Sequence, residues 1–388
     1  MKIALVHDYL IQDGGAERVF KTFHEVWPKA PIFALLHDKK RFGKTFRGDI
    51  RTSFLQRIPF SRRRFRWLMP LMPAATEGYD LNDFDLVLSS TSAFAKGVIT
   101  KPETLHINYC HTPTRYLWSD THTYINEIGL PRPVRSMMPL LLSSIRSWDR
   151  NAADRVDRFV ANSQAVRHRI AKYYRRDSTV IHPPVDTHNY SISPRVDDYY
   201  LAGGRLVAYK RFDVVVRAFN KLGIPLKIFG EGPSFSTLRR MAGPNIEFVG
   251  KVNERQKAEL YARAIAYLHP QDEDFGITPV ESMAAGRPVI AYRRGGALET
   301  VIEGVTGTFL EDQSWEELAN CVIRFEPEKF DSQKIRQHAE QFDTDVFKRR
   351  IKDFVRDAYQ EHLKNEEGFL MQSSNRLLKV ESGLKITN

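Results

Sequence analysis

The chain has 388 residues, with 58 Lys and Arg against 47 Asp and Glu, for a formal net charge of +11. This length is typical of two domains, and the basic excess favours polyanions or anionic membrane surfaces as partners. Two cysteines, Cys110 and Cys321, are too few for a disulfide scaffold. No apolar run is long enough to cross a bilayer, and no signal peptide is evident. We therefore expect a cytoplasmic protein.

Apolar runs that alternate with helix-period segments predict an α/β chain with parallel sheets in both halves. In the first half, strands are expected at 2–7, 31–36, 86–89, 106–109 and 158–161, and helices at 16–26 and 163–174. A proline-rich segment, 182–200, separates the halves. In the second half, strands are expected at 226–229, 246–249, 266–269 and 288–292, and helices at 213–222, 234–241, 254–263, 278–285 and 347–363.

Gly14 and Gly15 stand between the first predicted strand and the first predicted helix. Paired glycines allow the backbone to approach a phosphate closely, and the start of a helix adds partial positive charge. The spacing is not that of a G-x-G-x-x-G fingerprint, so it is weak evidence for NAD. A tight strand-to-helix turn without a ligand explains the same residues.

Arg205 and Lys210 follow the start of the second half. Their side chains can converge on a diphosphate, where they would neutralise the charge that develops on a leaving group. The alternative is a solvated basic loop, which is the usual explanation for a run of charges.

Glu273 and Glu281 flank a predicted loop-to-helix junction. There Gly276 permits an unusual backbone, Thr278 is expected to cap the helix and Pro279 to begin it. Free amides at a helix start between two carboxylates suit an anion flanked by hydroxyls. The spacing argues against a glycosidase acid–base pair, because a residue one turn into the helix should point away from the loop carboxylate. The alternative is a helix-terminal charge and an unrelated surface carboxylate.

The same loop contains Asp272-Glu273-Asp274, which matches an Asp-x-Asp motif that holds a divalent ion in another class of sugar transferases. Any acidic loop matches this motif easily, and Arg205 and Lys210 would make a metal redundant. We therefore predict that no metal is bound.

His111 and Trp118 belong to a segment, 108–118, that begins at the end of a predicted strand. Open α/β folds bind ligands at the carboxyl edge of the sheet, so His111 can hydrogen-bond a sugar or the transferring centre. A structural histidine is the alternative. Trp118 can cover a sugar face or pack in the core.

The segment 41–71, called here the basic stretch, mixes arginines with apolar residues. It contains Arg47, Arg51, Arg57, Arg62, Arg63, Arg64 and Arg66, with Phe54, Phe60, Phe65, Trp67 and Leu68. This composition suits an anionic membrane surface, with nucleic acid as the second interpretation and a solvated face as the third.

Several of these motifs occur together in one order. They are Gly14-Gly15, Gly204-Arg205 to Lys210, Phe229-Gly230-Glu231-Gly232-Pro233, Glu273 with Glu281, Ala285-Gly286-Arg287-Pro288-Val289, and Gly295-Gly296 to Glu299. With this set the chain resembles the retaining glycosyltransferases of family 4, over nearly all of residues 1–363. The segment from Tyr109 to Trp118 resembles, more narrowly, bacterial mannosyltransferases that build O-antigen and related polysaccharides from GDP-mannose.

The resemblance implies the GT-B fold, in which two Rossmann-like domains face each other across a cleft and a C-terminal helix crosses back to the first domain. It implies an acceptor-side domain at 1–190, completed by a helix at about 346–364. A nucleotide-sugar-binding domain is expected at 198–345 and a polar tail at 365–388.

The resemblance also implies roles for single residues. Arg205 and Lys210 would bind the donor diphosphate, Glu273 would contact sugar hydroxyls, and His111 would lie near the transferred sugar. Glu281 would hold the ribose. The other donor-binding positions it implies are Gly14, Gly15, Gly230, Gly232, Val252, Phe275, Gly276, Ile277 and Thr278. One departure stands out, since many members carry Lys-Gly where this chain has Lys210-Arg211.

The implied activity is metal-independent, retaining transfer of mannose from GDP-mannose to a saccharide or lipid-linked saccharide in bacterial surface polysaccharide synthesis. No cofactor is expected beyond the nucleotide-sugar, and docking would be peripheral, at the inner face of the cytoplasmic membrane. The alternatives are another donor such as UDP-glucose, and a non-enzymatic protein that binds nucleotide-sugar or nucleic acid. We expect no nucleic acid, because the carboxylate pair would repel a phosphate backbone.

Overall fold

The computed structural model describes residues 1–12, 14–121, 125 and 132–383. The chain divides into two compact units. Unit 1 consists of Met1–Ala161, Arg169–Thr179 and the chain from Lys348 onward, and unit 2 consists of Asn162–His168 and Val180–Phe347. The exact domain boundaries that the sequence suggests stay a prediction.

Unit 1 is built on a seven-stranded sheet. Its strands are β1 (Ile3–Leu10), β2 (Ile32–His37), β3 (Ile50–Thr52), β4 (Leu86–Thr91), β5 (Leu105–Cys110), β6 (Arg158–Ala161) and β7 (Ser178–Val180). Their order is β3-β2-β1-β4-β5-β6-β7, and the pairs from β3 to β6 are parallel. The central strands β1, β4 and β5 are buried almost along their whole length, as strands of parallel sheets usually are, although β4 and β5 include polar residues.

The helices described before the second sheet are α1 (Gly15–Val26), α2 (Lys39–Phe42), α3 (Met72–Glu77), α4 (Arg115–Trp118), α5 (Arg132–Asp154) and α6 (Gln164–Tyr174). Helix α1 buries Val19, Phe20 and Phe23, which recur at the spacing of one helix face. Cys110 and Cys321 are both buried.

Unit 2 is built on a six-stranded sheet. Its strands are β8 (Tyr200–Gly203), β9 (Leu226–Phe229), β10 (Ile246–Gly250), β11 (Tyr267–His269), β12 (Val289–Tyr292) and β13 (Gly307–Leu310). Their order is β10-β9-β8-β11-β12-β13, and all neighbouring pairs are parallel.

The helices that follow β8 are α7 (Phe212–Leu222), α8 (Phe235–Met241), α9 (Glu254–Arg263), α10 (Ile277–Ala284), α11 (Ala297–Thr300), α12 (Trp315–Arg324), α13 (Ser332–Glu340) and α14 (Thr344–Gly383). Two apolar clusters fill unit 2, one on each face of the sheet-forming strands. No helix among the described residues is long and apolar enough to cross a membrane.

Each sheet has a point where the strand order reverses, which is where open α/β sheets bind ligands at the carboxyl ends of their strands. In unit 1 this point lies between β1 and β4, and in unit 2 it lies between β8 and β11. The loops that leave these four strands therefore hold the positions where a site is expected.

All nine predicted strands are present, and the predicted helices are present to within a few residues. The sequence missed β3 and β7, which have three residues each and are too short for a periodic pattern, and it also missed the four-residue strands β8 and β13. It missed the short helices α2, α3, α4 and α11, and the longer helices α5, α12 and α13. Helix α5 contains Pro139, which in a sequence usually indicates the end of a helix. Helix α14 continues to Gly383, so the predicted polar tail begins inside a helix, and residues 384–388 lie outside the described residues.

Candidate active site

The switch point of unit 2 brings two loops together. The loop after β8 ends in a 3-10 turn, Ala208–Lys210, and the loop after β11 carries Glu273. Lys210 Nζ lies 2.6 Å from Glu273 Oε1, and both side chains are largely sheltered from solvent. Burial lowers the pKa of Lys210, but the charge and hydrogen bond of Glu273 raise it above its ordinary value. Lys210 is therefore a fixed positive charge at this edge of the sheet.

Arg205 lies in the same loop and is exposed. Its Nη2 donates to the Tyr209 hydroxyl at 3.4 Å, and its charge is close enough to Lys210 to oppose the raised pKa of that ammonium. The loop after β8 thus presents two neighbouring cations, a guanidinium in solvent and an ammonium inside. Two such charges can bind one diphosphate.

Arg211, at the departure from Lys-Gly, has a left-handed backbone with φ 54° and is the N-cap of α7. Glycine adopts this conformation without the steric strain that a side chain adds, which explains why glycine suits the position. Here the Arg211 side chain donates to Asp213 at 3.2 Å and to Gln313 at 2.7 Å. The turn that presents Lys210 is therefore formed with arginine at position 211, where many family members have glycine.

Two glycines allow the loop after β9 to contact the loop that carries Arg205. A Cβ on Gly230 would lie 1.9 Å from the carbonyl oxygen of Gly204, and a Cβ on Gly232 would lie 2.2 Å from that of Leu206. Any larger residue at either position would push the two loops apart. Gly230 and Gly232 therefore shape the backbone of the site.

Helix α10 begins at Ile277, and Gly276, with φ 85°, is its N-cap. The predicted cap at Thr278 and first helical position at Pro279 are wrong, because the left-handed glycine starts the helix directly after Phe275. The first amides of a helix have no intrahelical partner, so α10 offers them immediately after the loop that carries Glu273.

Gly295 and Gly296 pack against the backbone of the loop after β11 and hold that loop in place. The Gly296 N–H donates to the Glu273 carbonyl at 2.8 Å, and a Cβ on Gly295 would lie 2.2 Å from the same oxygen. Phe275 is buried and stacks on His182, with ring centroids 5.4 Å apart. The backbone of Glu273 is therefore held in place while its side chain points to Lys210.

Polar atoms with no hydrogen-bond partner among the described residues collect in this loop. They include both ring nitrogens of His269, both amide atoms of Gln271, and Oδ1 of Asp272. Burial lowers the pKa of His269 to about 4, so its ring is neutral at neutral pH. Since nearly all buried polar groups are hydrogen-bonded, this cluster marks a place that a hydroxyl-rich ligand can satisfy.

Glu281 is buried inside unit 2 and its carboxylate is bound on both oxygens. Lys257 Nζ donates to Oε1 at 2.9 Å, and the Tyr261 hydroxyl donates to Oε2 at 3.2 Å. Its charge and that of Glu273 both act on Tyr267, whose pKa burial already raises well above its ordinary range. Both carboxylates therefore lie near one tyrosine, the first residue of β11.

His111 directly follows β5, the neighbour of β4, at the carboxyl edge of the sheet of unit 1. Its Nε2 lies 2.8 Å from Ser90 Oγ, and that hydroxyl lies 3.1 Å from Nδ1 of His7. Burial, together with the charge of His7, lowers the pKa of His111 to about 3. His111 is therefore a neutral imidazole with one ring nitrogen bound to protein.

Gly14 and Gly15 lie at the start of α1. Gly14 has an extended backbone, and a Cβ there would lie 2.9 Å from Glu17 Oε2, so the missing side chain makes room for that carboxylate. Trp118 stacks on Tyr173 and donates to Asp149 at 2.8 Å. The structure thus favours the packing role for Trp118 over a sugar-covering role.

Two family models together span most of the chain. The model described as Glycosyltransferase Family 4 matches residues 13–189, and the model described as Glycosyl transferases group 1 matches residues 191–342. The chain belongs to the family 4 glycosyltransferases. The predicted family is confirmed.

Curated relatives of this glycosyltransferase include two mannosyltransferases by name. It is 31% identical over 232 residues to the GDP-mannose-dependent alpha-(1-6)-phosphatidylinositol monomannoside mannosyltransferase of Mycolicibacterium smegmatis, covering 52% of this chain and 58% of that one. It is 39% identical over 89 residues to the alpha-1,3/1,6-mannosyltransferase ALG2 of Dictyostelium discoideum, covering 23% of this chain and 21% of that one. The matches thus span about a fifth and just over half of these relatives.

Solved structures similar to the glycosyltransferase establish its fold. Anabaena HepE in complex with UDP has a TM-score of 0.69 at 18% identity, covering 92% of this chain and all of that one (100%). Sucrose-phosphate synthase from Thermosynechococcus elongatus has a TM-score of 0.69 at 14% identity, covering 93% and 100%. Together with the two parallel sheets, these likenesses confirm the predicted two-domain GT-B fold class.

The structure of the glycosyltransferase gathers several predicted site residues within unit 2. Arg205, Lys210, Glu273 and Gly276 lie on the two loops of the switch point, and Glu281 lies beneath them. The other positions in that unit are Gly230, Gly232, Val252, Phe275, Ile277 and Thr278, of which Val252 packs partly buried on the core. Their roles toward a donor stay a prediction.

Sequence reasoning missed Lys257, the partner of Glu281. The signal was present, since Lys257 and Tyr261 are four residues apart on predicted helix 254–263 and so share one face. A lysine beside a tyrosine on an inward face requires a buried acid, and Glu281 is that acid.

One group of described residues has three potential metal ligands close together, His188, Asp343 and Asp345. The Asp343 carboxylate already accepts hydrogen bonds from Thr187 and from the backbone of Asp345. This group lies at the start of α14, not in the Asp272-to-Asp274 loop. Metal independence stays a prediction.

Proposed function

We propose that this glycosyltransferase is a retaining, metal-independent hexosyltransferase that moves mannose from GDP-mannose to a saccharide or lipid-linked saccharide acceptor. The acceptor would belong to bacterial surface polysaccharide synthesis. Support for mannose comes from the curated relatives, whose names include GDP-mannose-dependent mannosyltransferases of Mycolicibacterium smegmatis and Corynebacterium glutamicum. The Lys210–Glu273 pair at the switch point is the single observation that carries the proposal.

The Lys210–Glu273 pair provides a cation for the phosphate of a nucleotide-sugar and a carboxylate for its sugar hydroxyls. Lys210 carries three N–H donors, so it can bind a phosphate oxygen while Glu273 remains beside it. Glu273 then accepts from sugar hydroxyls next to the bond that breaks. Arg205 and the first amides of α10 complete the anion site.

Catalysis then rests on charge stabilisation. As the bond from the anomeric carbon to the phosphate oxygen breaks, negative charge develops on the diphosphate, and Arg205, Lys210 and the helix amides stabilise it. The acceptor hydroxyl attacks from the face that the diphosphate leaves, and the diphosphate takes up its proton. No protein nucleophile is required, and the anomeric configuration is retained.

A donor panel tests the proposed specificity. At about 100 times its Kd, a ligand raises the free energy of unfolding by about 2.7 kcal/mol, which is a measurable rise in melting temperature. We expect GDP-mannose to produce this rise, and the product to show the α-anomeric proton by NMR when the acceptor is supplied. If UDP-glucose raises the melting temperature and GDP-mannose does not, UDP-glucose replaces GDP-mannose as the proposed donor.

UDP-glucose is the second candidate donor. The specific observation in its favour is that HepE, a structural neighbour, is seen with UDP and with UDP-glucose. A third possibility is a protein that binds a nucleotide-sugar or nucleic acid without transfer. Donor binding with no product from any acceptor would favour it, and so would salt-sensitive binding of duplex DNA.

The basic stretch supports a proposal about location, which is peripheral docking on an anionic membrane. Its arginines are exposed, and Arg57, Arg63 and Arg64 have no acidic partner among the described residues. Phe60 and Trp67 are 71% and 64% exposed, which places aromatic rings beside the charges. Exposed aromatics among arginines suit the headgroup region of a bilayer better than a solvated face.

Vesicle binding tests the docking proposal. Each arginine near an anionic surface contributes about 1 kcal/mol, so Arg63→Glu with Arg64→Glu should weaken binding to phosphatidylglycerol vesicles at least tenfold. The matched control is Arg239→Glu with Arg240→Glu, two exposed arginines on α8 of unit 2, which should change binding less than twofold.

Wild-type binding should also weaken as salt rises. Vesicle pelleting that is indifferent to lipid charge and to salt would exclude the docking proposal. Equal loss of duplex DNA binding in the same double variant would assign the surface to nucleic acid.

A further inference from the structure

Four buried side chains of unit 1 follow one another in space and end at His111. Three belong to α1, β1 and β4, and His111 comes directly after β5. Glu17 of α1 faces His7 of β1, His7 contacts Ser90 of β4, and Ser90 contacts His111. His7 and Ser90 are paired residues in the parallel register of β1 and β4. The line therefore follows directly from the sheet order at the switch point.

The hydrogen bonds in this line fix where the protons lie. His7 Nδ1 is 3.1 Å from the Ser90 carbonyl oxygen, which can only accept, so Nδ1 of His7 carries a proton. The same Nδ1 is 3.1 Å from Ser90 Oγ, so that oxygen accepts as well. The hydroxyl proton of Ser90 is then directed to His111 Nε2, 2.8 Å away.

Because His111 Nε2 accepts, the single proton of the neutral ring must lie on Nδ1. Nothing in the described residues hydrogen-bonds that Nδ1. His111 is 8% exposed, so the ring is not fully enclosed. The Nδ1–H is thus the part of His111 that is left for a ligand.

His7 is itself held in place. Its ring stacks on Phe20 with centroids 4.5 Å apart and planes 16° from parallel, and its Nε2 lies 4.0 Å from Glu17 Oε1. Gly14 leaves the space that Glu17 occupies. Stacking on Phe20 therefore fixes the plane of the His7 ring, whereas 4.0 Å is too long for a hydrogen bond between Nε2 and the carboxylate.

We propose that His7 and Ser90 are positioning residues that hold His111 as its Nδ1–H tautomer, so that His111 donates a hydrogen bond to a hydroxyl of the transferred sugar. The donation to sugar rests on the proposed function, whereas the tautomer does not. In this arrangement His111 is a hydrogen-bond donor and not a proton acceptor. The first part can therefore be tested without any turnover.

Nitrogen-15 NMR of histidine-labelled full-length protein tests the tautomer, with the His111 signals assigned by their loss in His111→Gln. We expect a protonated Nδ1 and an unprotonated Nε2 in the wild type, and a mixture in Ser90→Ala. Ser89→Ala is the matched control, because Ser89 is the neighbouring buried serine of β4 and its hydroxyl binds His106 at 2.8 Å. It should leave the His111 signals unchanged. An Nε2–H tautomer in the wild type, or no change in Ser90→Ala, overturns the proposal.

Kinetics separate the contact with sugar from the tautomer. An asparagine amide can place its N–H near the position of Nδ1, and a glutamine amide near that of Nε2. We expect His111→Asn to retain at least tenfold more kcat than His111→Gln, and Ser90→Ala to lower kcat about tenfold with little change in donor KM. The reverse order of the two His111 variants would exclude donation from Nδ1. If no donor or acceptor gives turnover, the proposed function fails while the NMR result stands.

Discussion

Replacement of Lys210 by methionine is expected to lower the rate of sugar transfer about 100- to 1,000-fold. This is the loss that follows when one preorganised group is removed from a developing negative charge. Methionine retains the length of the lysine stem but carries no charge, so Glu273 keeps its place without a counterion. Initial rates with GDP-mannose and the melting shift with GDP measure the two consequences, slower transfer and weaker diphosphate binding.

The matched control for Lys210→Met is Lys221→Met, which removes an exposed lysine from α7 of the same unit. It should transfer at the wild-type rate within twofold. Arg205→Ala is the companion variant, because Arg205 is exposed and its loss should abolish transfer while the melting temperature stays within about 2 °C of wild type. Transfer by either variant within tenfold of wild type would remove that cation from the mechanism.

Replacement of Lys96 by methionine is expected to destabilise unit 1 by about 3–5 kcal/mol. Lys96 is fully buried, and its ammonium hydrogen-bonds Asp149 Oδ1 and the carbonyl of Ala93. Asp149 is fully buried as well. Without Lys96, the Asp149 carboxylate would be a buried charge with no counterion. Urea unfolding followed by circular dichroism measures the loss.

Two comparisons sharpen this second prediction. Lys101→Met removes an exposed lysine of the same segment and should change the free energy of unfolding by less than about 0.5 kcal/mol. Lys96→Met combined with Asp149→Leu removes both charges and should recover part of the loss. Recovery stays incomplete, because Trp118, Tyr174 and Thr114 also donate to Asp149. A loss below about 1 kcal/mol for Lys96→Met would show that the pair is not needed for stability.

Nine strands were predictable because each holds a short segment rich in apolar residues, such as residues 3–6 of β1. Strands β3 and β7 were not predictable, because three residues carry no period, and the four-residue strands β8 and β13 were missed as well. Helix α5 was hidden by its internal proline, since the stability of such a helix depends on what it packs against.

The candidate site was predictable at the level of residue type. Glu273, Lys210 and the glycine pairs are visible as motifs, because they occur together in the order that the family has. The start of α10 was misplaced, since the sequence offers Thr278 as a good cap and gives no sign that Gly276 adopts a left-handed backbone. Gly295 and Gly296, which come later in the chain, pack against Glu273 and Phe275 just before this glycine, and no local pattern reveals that contact.

By itself the sequence determined nine of the strands and the helices between them that carry a clear apolar period, the family, and the residue types on the loops of the site, because these depend on local pattern and composition. Only the tertiary structure decided which groups meet. It paired Lys210 with Glu273 and Lys257 with Glu281, and it joined His7 to His111 through Ser90. The reason is physical: these partners come from strands and helices far apart in the chain. Strand order and register, which no local pattern specifies, bring them within hydrogen-bond distance.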